Sequence, residues 1–174
     1  MKKNILFLSF ALVFAMSSSC KKVNEATEFD IDYSTFLTIP STSITVTAPA
    51  DFTTPEIPTN SSSRFASEKT TIELVSEVKL TKFNISNPTG NLDFLKSLTI
   101  FLKSSAGEVS VATKTNIPKG VSSVSADLSG INIKDHIFKD KIQFRVSVTI
   151  TTGLTATQQL KMDETVHVVG KKIS

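Results

Sequence analysis

The chain has no tryptophan, one tyrosine (Tyr33), one cysteine (Cys20) and two histidines (His136 and His167) in 174 residues. Each scarcity closes a route. A single cysteine excludes an intrachain disulfide. The two histidines lie far apart, and neither has a second histidine at metal-ligand spacing, so no metal site is expected. Without tryptophan, and with only Tyr33, the chain has few of the flat amphipathic rings that stack on sugars. This weakens a glycan-binding face but leaves loop-based recognition open. Six glycines and six prolines are too few for a collagen-like or strongly disordered chain. There is no clustered Lys/Arg stripe and no interleaving of aromatic and basic residues, which argues against nucleic acid as a partner. No P-loop, GxSxG, HExxH or dinucleotide fingerprint occurs. The expectation is a non-enzymatic chain with no cofactor.

The chain has one long apolar run, and it lies at the start. Lys2 and Lys3 precede ILFLSFALVFAM (Ile5 to Met16), which ends in Ser17, Ser18 and Ser19. A run of this length falls short of the roughly 20 residues a transmembrane helix needs. It has the three parts of an export signal: positive start, apolar centre and small residues for cleavage. Cys20 follows at once, and a thiolate is the natural nucleophile for forming a thioether.

Ser17-Ser18-Ser19-Cys20 resembles a bacterial lipobox, with Ser17 where the commonest form has leucine. Looser boxes of this kind resemble those of Bacteroidetes lipoproteins. The resemblance implies a diacylglyceryl group on Cys20, cleavage just before it, and acylation of the new amino group. Each buried methylene contributes about 0.8 kcal/mol, so two or three acyl chains hold firmly. Cys20 is then an attachment point for lipid. Lys21 is not the aspartate associated with inner-membrane retention, so an outer-membrane location is expected, with periplasmic or surface facing left open.

The expected organisation is a signal peptide over 1–19, a lipidated cysteine and polar tether over 20–28, and one domain over 29–174. Removing residues 1–19 leaves 155, enough for a real core. It also removes Lys2 and Lys3, so the net charge falls from +3 to +1 and the pI near 9.0 overstates the basic character.

Within the domain the dominant signal has a period of two. In KIQFRVSVTIT (Lys141 to Thr151), Ile142, Phe144, Val146, Val148 and Ile150 share one face. Polar residues occupy the other, as a strand between core and water requires. Phe29, Ile31, Tyr33, Leu37 and Ile39 repeat the pattern, opposite Asp30, Asp32, Ser34 and Thr38. Shorter runs follow at Ile44 and Val46, Leu98 to Leu102, Val109 and Val111, Val124 to Leu128, and Val166 and Val168. Phe101 interrupts the polar face of its run and is a candidate for burial. The reading is all-β: an antiparallel β-sandwich, immunoglobulin-like or jelly-roll-like, of about seven to nine strands. One or two short helical turns are expected, at Ser67 to Val78 and at Ile133 to Phe138. The segment Leu92 to Gly120, with DLSGINIKDHIF after it, resembles small bacterial lipoproteins predicted to hold β-sandwich domains. That resemblance implies architecture only.

Candidate chemistry is sparse. Asp30 and Asp32 fall on one side of a strand, yet calcium wants six or more oxygens and a kinked loop. His136 lies beside Asp135, but no motif presents a nucleophile to it, and an exposed loop position is expected. His167 is expected to face solvent. Pro49 to Arg64 reads as an irregular stretch, most simply a crossover between sheets. As a binding loop it offers Asp51, Phe52, Glu56 and Arg64. The leading expectation is an anchored envelope module that binds another protein without catalysis. The alternative is a lipoprotein binding a glycan or small molecule through residues 49–64, and a hydrolase comes last.

Overall fold

The computed structural model describes residues 25–41, 48–151 and 153–173. Cys20, the expected export signal and the short run at Ile44 and Val46 lie outside the described residues. Two antiparallel sheets face each other, as the period-two pattern demands. The first has four strands: β1 (Ala26–Ile39) pairs with β10 (Gln158–Lys171), then β4 (Val75–Ser86), then β7 (Ser123–Ser125). In the second, β2 (Ala50–Thr53) pairs with β9 (Lys141–Ile150), followed by β5 (Leu95–Ser104), β6 (Gly107–Lys114) and β8 (Asp127–Leu128). The two-residue strand β3 (Ile57–Pro58) also pairs with β9. Among the described residues ten strands thus stand where seven to nine were expected: β3 is too short to leave a periodic trace, and the run from Val124 to Leu128 divides into β7 and β8.

Alternation places the core between the sheets. Ile39, Val78, Ile100, Val148, Met162 and Val168 have no exposed surface at all. Such burial contributes about 1.5–3 kcal/mol per large apolar side chain. Phe101 departs from expectation: it is half-buried on the outer face of β5, parity having won over hydrophobicity.

Residues 26–28, expected as the end of a tether, belong to the domain. Ala26, Thr27 and Glu28 already belong to β1, opposite Lys171, Gly170 and Val169, and Thr27 is buried. Polar residues disguised this start of the strand.

The Pro49–Arg64 stretch is also more ordered than its prolines suggest. It contains β2, β3 and the helix α1 (Ser61–Ser67). Thr54 extends the β9 edge, its amide donating to Phe144 O and its hydroxyl accepting from Phe144 N at 3.0 Å. Pro58 sits on an edge, where a missing amide hydrogen costs no ladder bond.

The short helical turn expected within Ser67 to Val78 is present at Ile72–Leu74, and a further helix precedes it. The helix α1 ends at Ser67, Lys69 turns the chain with φ 54°, and a single 3-10 turn over Ile72–Leu74 leads into β4. The three-residue spacing of Val75 and Val78, and again of Leu80 and Phe83, comes from two β-bulges. Register slips opposite Val169/Gly170 and opposite Thr165/Val166. Each inserts one residue, so side chains three apart face the same side. The bulged residues, Ser76 and Thr81, donate hydroxyl bonds to Val169 O and Thr165 O. Gly170 belongs to the first bulge. A Cβ there would meet Leu74 O at 3.1 Å and Val75 Cα at 3.2 Å.

The expected turn at Ile133 to Phe138 is the short helix α2 (Lys134–Ile137). With α1 it closes the end of the sandwich where β1 begins. Phe65 of α1, 1% exposed, packs edge-on between Phe29 and Phe138, at 5.9 and 5.6 Å. Between β7 and β8 the chain changes sheets through one residue, Ala126, whose amide donates to Phe83 O.

Candidate functional site

The four loop candidates do not converge. Asp51 projects from β2 onto the outer face of the second sheet, 2.9 Å from Arg145 Nη1. Arg145 also donates from Nε and Nη2 to the two carboxylate oxygens of Glu108. Its guanidinium lies 3.9 Å over the Phe101 ring, a cation–π contact. Four strands therefore contribute to one outer-face cluster, which explains why Phe101 is only half-buried. The guanidinium holds the Glu108 carboxyl below its ordinary range. Phe52 is half-buried against the core, and Arg64 stands exposed on α1.

Glu56 borders an open cleft of about 340 Å³ at the closed end of the sandwich. The cleft lies between the β5–β6 turn and the start of β9. Lys103, Lys139, Lys141, Ser104 and Gln143 line it, with Asp140 beside them. Lys141 is 2.9 Å from Glu56, whose carboxylate raises the lysine pKa. The lining residues are mostly charged or polar, with Ile142 among them, and residues 49–64 contribute only Glu56.

His136, the partner of the cleft residue Ser104, stands on a helix and partly buried, not in an exposed loop. Its Nδ1 lies 3.0 Å from Ser104 Oγ, a pairing across 32 residues that no local motif signals. Burial lowers its pKa, with Asp135 opposing, which favours the neutral imidazole. Ser104 Oγ also accepts the Ala106 amide hydrogen. These bonds tie the β5–β6 turn to α2.

On the outer face of the first sheet, Asp30 and Asp32 each have a separate partner. His167 Nδ1 is 2.8 Å from Asp30, and Thr165 donates to Asp32 at 2.6 Å. His167 faces outward as expected, half-covered by this contact. Among the described residues no three His, Cys, Asp or Glu side chains group as metal ligands do.

The sequence reading passed over one ionisable residue: Glu164. It occupies the inward column of β10, between Met162 and Val166, and is 2% exposed. Neither carboxylate oxygen has a hydrogen-bond partner. Its cross-strand neighbours are Tyr33 and Phe83. A cavity of about 10 Å³ beside it is lined otherwise by apolar groups, including Leu102, Ile137 and Phe144. That is room for about one water-sized sphere. Burial, helped by the adjacent Asp163 charge, pushes the Glu164 pKa up to about 8. Burial also raises Tyr33 to about 12, while its hydroxyl donates to Thr59 O. Continuing the parity of Leu160, Met162, Val166 and Val168 through position 164 would have located this acid.

No protein-family model matches the chain, and no curated protein matches it. Solved structures with partial likeness include several from viruses. The infectious bursal disease virus Gt strain structure is 11% identical with a TM-score of 0.40, covering 84% of this chain and 32% of that one. The chain thus spans about a third of that relative. Desmodium yellow mottle tymovirus is 13% identical with a TM-score of 0.28, covering 85% and 91%. Mud crab tombus-like virus is 8% identical with a TM-score of 0.31, covering 86% and 84%. Likeness at this level carries no functional argument.

Proposed function

We propose that this chain is a lipid-anchored protein of the bacterial envelope, held in the outer membrane through Cys20, and that its sandwich is a non-catalytic module for binding another protein. The observation that carries the reading is strand β1. It runs for 14 residues at the margin of its sheet and, among the described residues, pairs only with β10. An unpaired strand of that length offers backbone donors and acceptors for an added strand. Phe36, 45% exposed on its outer face, supplies an apolar anchor. A photo-crosslinker at position 36 should capture an envelope protein that the same group at Lys119 does not. Equal capture at both positions, or none at 36, would refute the module. Mass spectrometry of Cys20 tests the anchor separately.

A second reading, ligand binding, is supported by the cleft at Glu56. Lys103, Lys139 and Lys141 around a polar hollow suit an anionic small molecule or acidic glycan better than a neutral one. Titration with a sugar phosphate should give saturable binding that Lys103→Glu with Lys139→Glu abolishes. Unchanged heats in the double variant would remove this reading.

A further inference from the structure

The Lys172 amide, just past β10, donates to Glu25 O, just before β1, and the register between the two strands then runs to Ile39 without a slip. Antiparallel ladders bond alternate residues, so the odd-numbered residues of β1 spend their amide and carbonyl groups on β10. The even-numbered ones direct theirs to the open margin, where among the described residues no backbone group bonds to them. Glu28, Asp30, Asp32 and Phe36 all belong to this second set.

The charges in that set have one sign. β1 holds three carboxylates and no Lys, Arg or His. Glu28, Asp30 and Asp32 stand on the outer face at steps of about 6.8 Å. Their neighbours on β10 are Val169, His167 and Thr165. His167, 2.8 Å from Asp30 and 3.8 Å from Glu28, supplies at most one positive charge to the three. Nearby lysines are committed elsewhere. Lys161 is 2.8 Å from Asp163, and Lys79 is 2.8 Å from Glu77. Lys82 lies two strands from Asp32, about 10 Å away, beyond a screening length of about 8 Å. Where β1 begins, Lys69, Lys171 and Lys172 are equalled in number by Glu25, Glu68 and Glu73. At least two negative charges therefore stand unbalanced along the open margin, all on described residues.

Resting on the reading of β1 as a docking strand, we propose that it takes up a strand bearing Lys or Arg at three alternate positions. These bases stand opposite Glu28, Asp30 and Asp32, with an apolar residue opposite Phe36. The partner is another protein, because a second β1 would bring no base. An antiparallel partner reads from the apolar residue to the last base in nine residues. Side chains directly opposite lie about 5 Å apart, and each opposite-charge pair strengthens the added strand by up to about fivefold. The open backbone groups supply affinity. The carboxylates choose the register, since a slip of one residue carries every base to the other face.

The test is fluorescence anisotropy with the full chain in zwitterionic detergent and synthetic nine-residue peptides. The reference peptide has valine at position 1, lysine at positions 5, 7 and 9, and threonine elsewhere. It should bind saturably, about tenfold or more tightly than the same peptide with glutamine for lysine. Moving the lysines to positions 4, 6 and 8 should lose that advantage. N-methylation at positions 3, 5 and 7, which bond to β1, should abolish binding. Glu28→Gln/Asp30→Asn/Asp32→Asn should erase the preference for lysine and leave the affinity of the glutamine peptide unchanged. Equal affinity for the lysine and glutamine peptides would overturn the basic partner. So would a lysine preference that survives N-methylation or the triple variant, or a dimer of the chain that the lysine peptide cannot displace. In each case capture of an envelope protein by the photo-crosslinker at position 36 would leave the docking strand itself standing. No peptide binding together with no capture at 36 would end both.

Discussion

Arg145 and Glu164 are ionisable side chains near the middle of their sheets, and they meet opposite conditions. Arg145 points outward, where two carboxylates and an aromatic ring share its charge. Glu164 points inward, faced by Tyr33 from β1 and by apolar groups from α2, β4, β5, β6 and β9. The outer charge remains because water and partners share the work. The inner one survives by keeping its proton, since an unpaired carboxylate in that setting costs several kcal/mol. One position in strand parity separates the two outcomes.

The largest test of this contrast is pH. Unfolded, Glu164 titrates near its ordinary 4.5; folded, near 8. Between those values the unfolded chain has released a proton that the folded chain still holds. Stability must therefore fall as pH rises through the window, by roughly 5 kcal/mol in all, and level off above it. Urea denaturation from pH 4.5 to 9 should show that slope for the natural chain relative to Glu164→Gln. Parallel profiles would mean that the acid is not isolated.

Next in size, Gly170→Ala in the same inward column should cost about 2 kcal/mol, because the added methyl meets backbone at the bulge. A neutral result in thermal melts would show that the bulge relaxes. On the outer face, Arg145→Met should cost about 1 kcal/mol or less, reduced further by salt. A loss as large as that at Gly170 would make the outer cluster structural. Smallest of all, Lys141→Gln should leave the melting temperature unchanged, since its pair with Glu56 is open to water.

The parts of the fold legible in sequence were those where neighbours in the chain share one environment. The alternation of Lys141 to Thr151 maps directly onto β9, and that of Phe29 to Ile39 onto most of β1. Legibility failed where a strand breaks its own period. Two bulges gave β4 a helix-like spacing, and polar Thr27 and Glu28 made the start of β1 look like tether. The loop at 49–64 hid its order because Thr54 and Thr59 replace apolar residues, and their partners are Phe144 and the chain at Lys139–Asp140. The site features were less accessible still. Arg145 gathers Asp51, Phe101 and Glu108 from three other strands, and Ser104 reaches His136 across a change of sheet. Such groupings depend on strand order, which no local pattern encodes. Glu164 is the exception: its strand's alternation reveals it.

The crossing at Ala126 governs how the two layers can part. With one residue bridging β7 and β8, that margin is a hinge too short to gape. The opposite margin, between β1 and β2, has a longer connection through residues 40–49. Ala126 is in this sense a stitch that keeps the two layers in step along the β7–β8 margin.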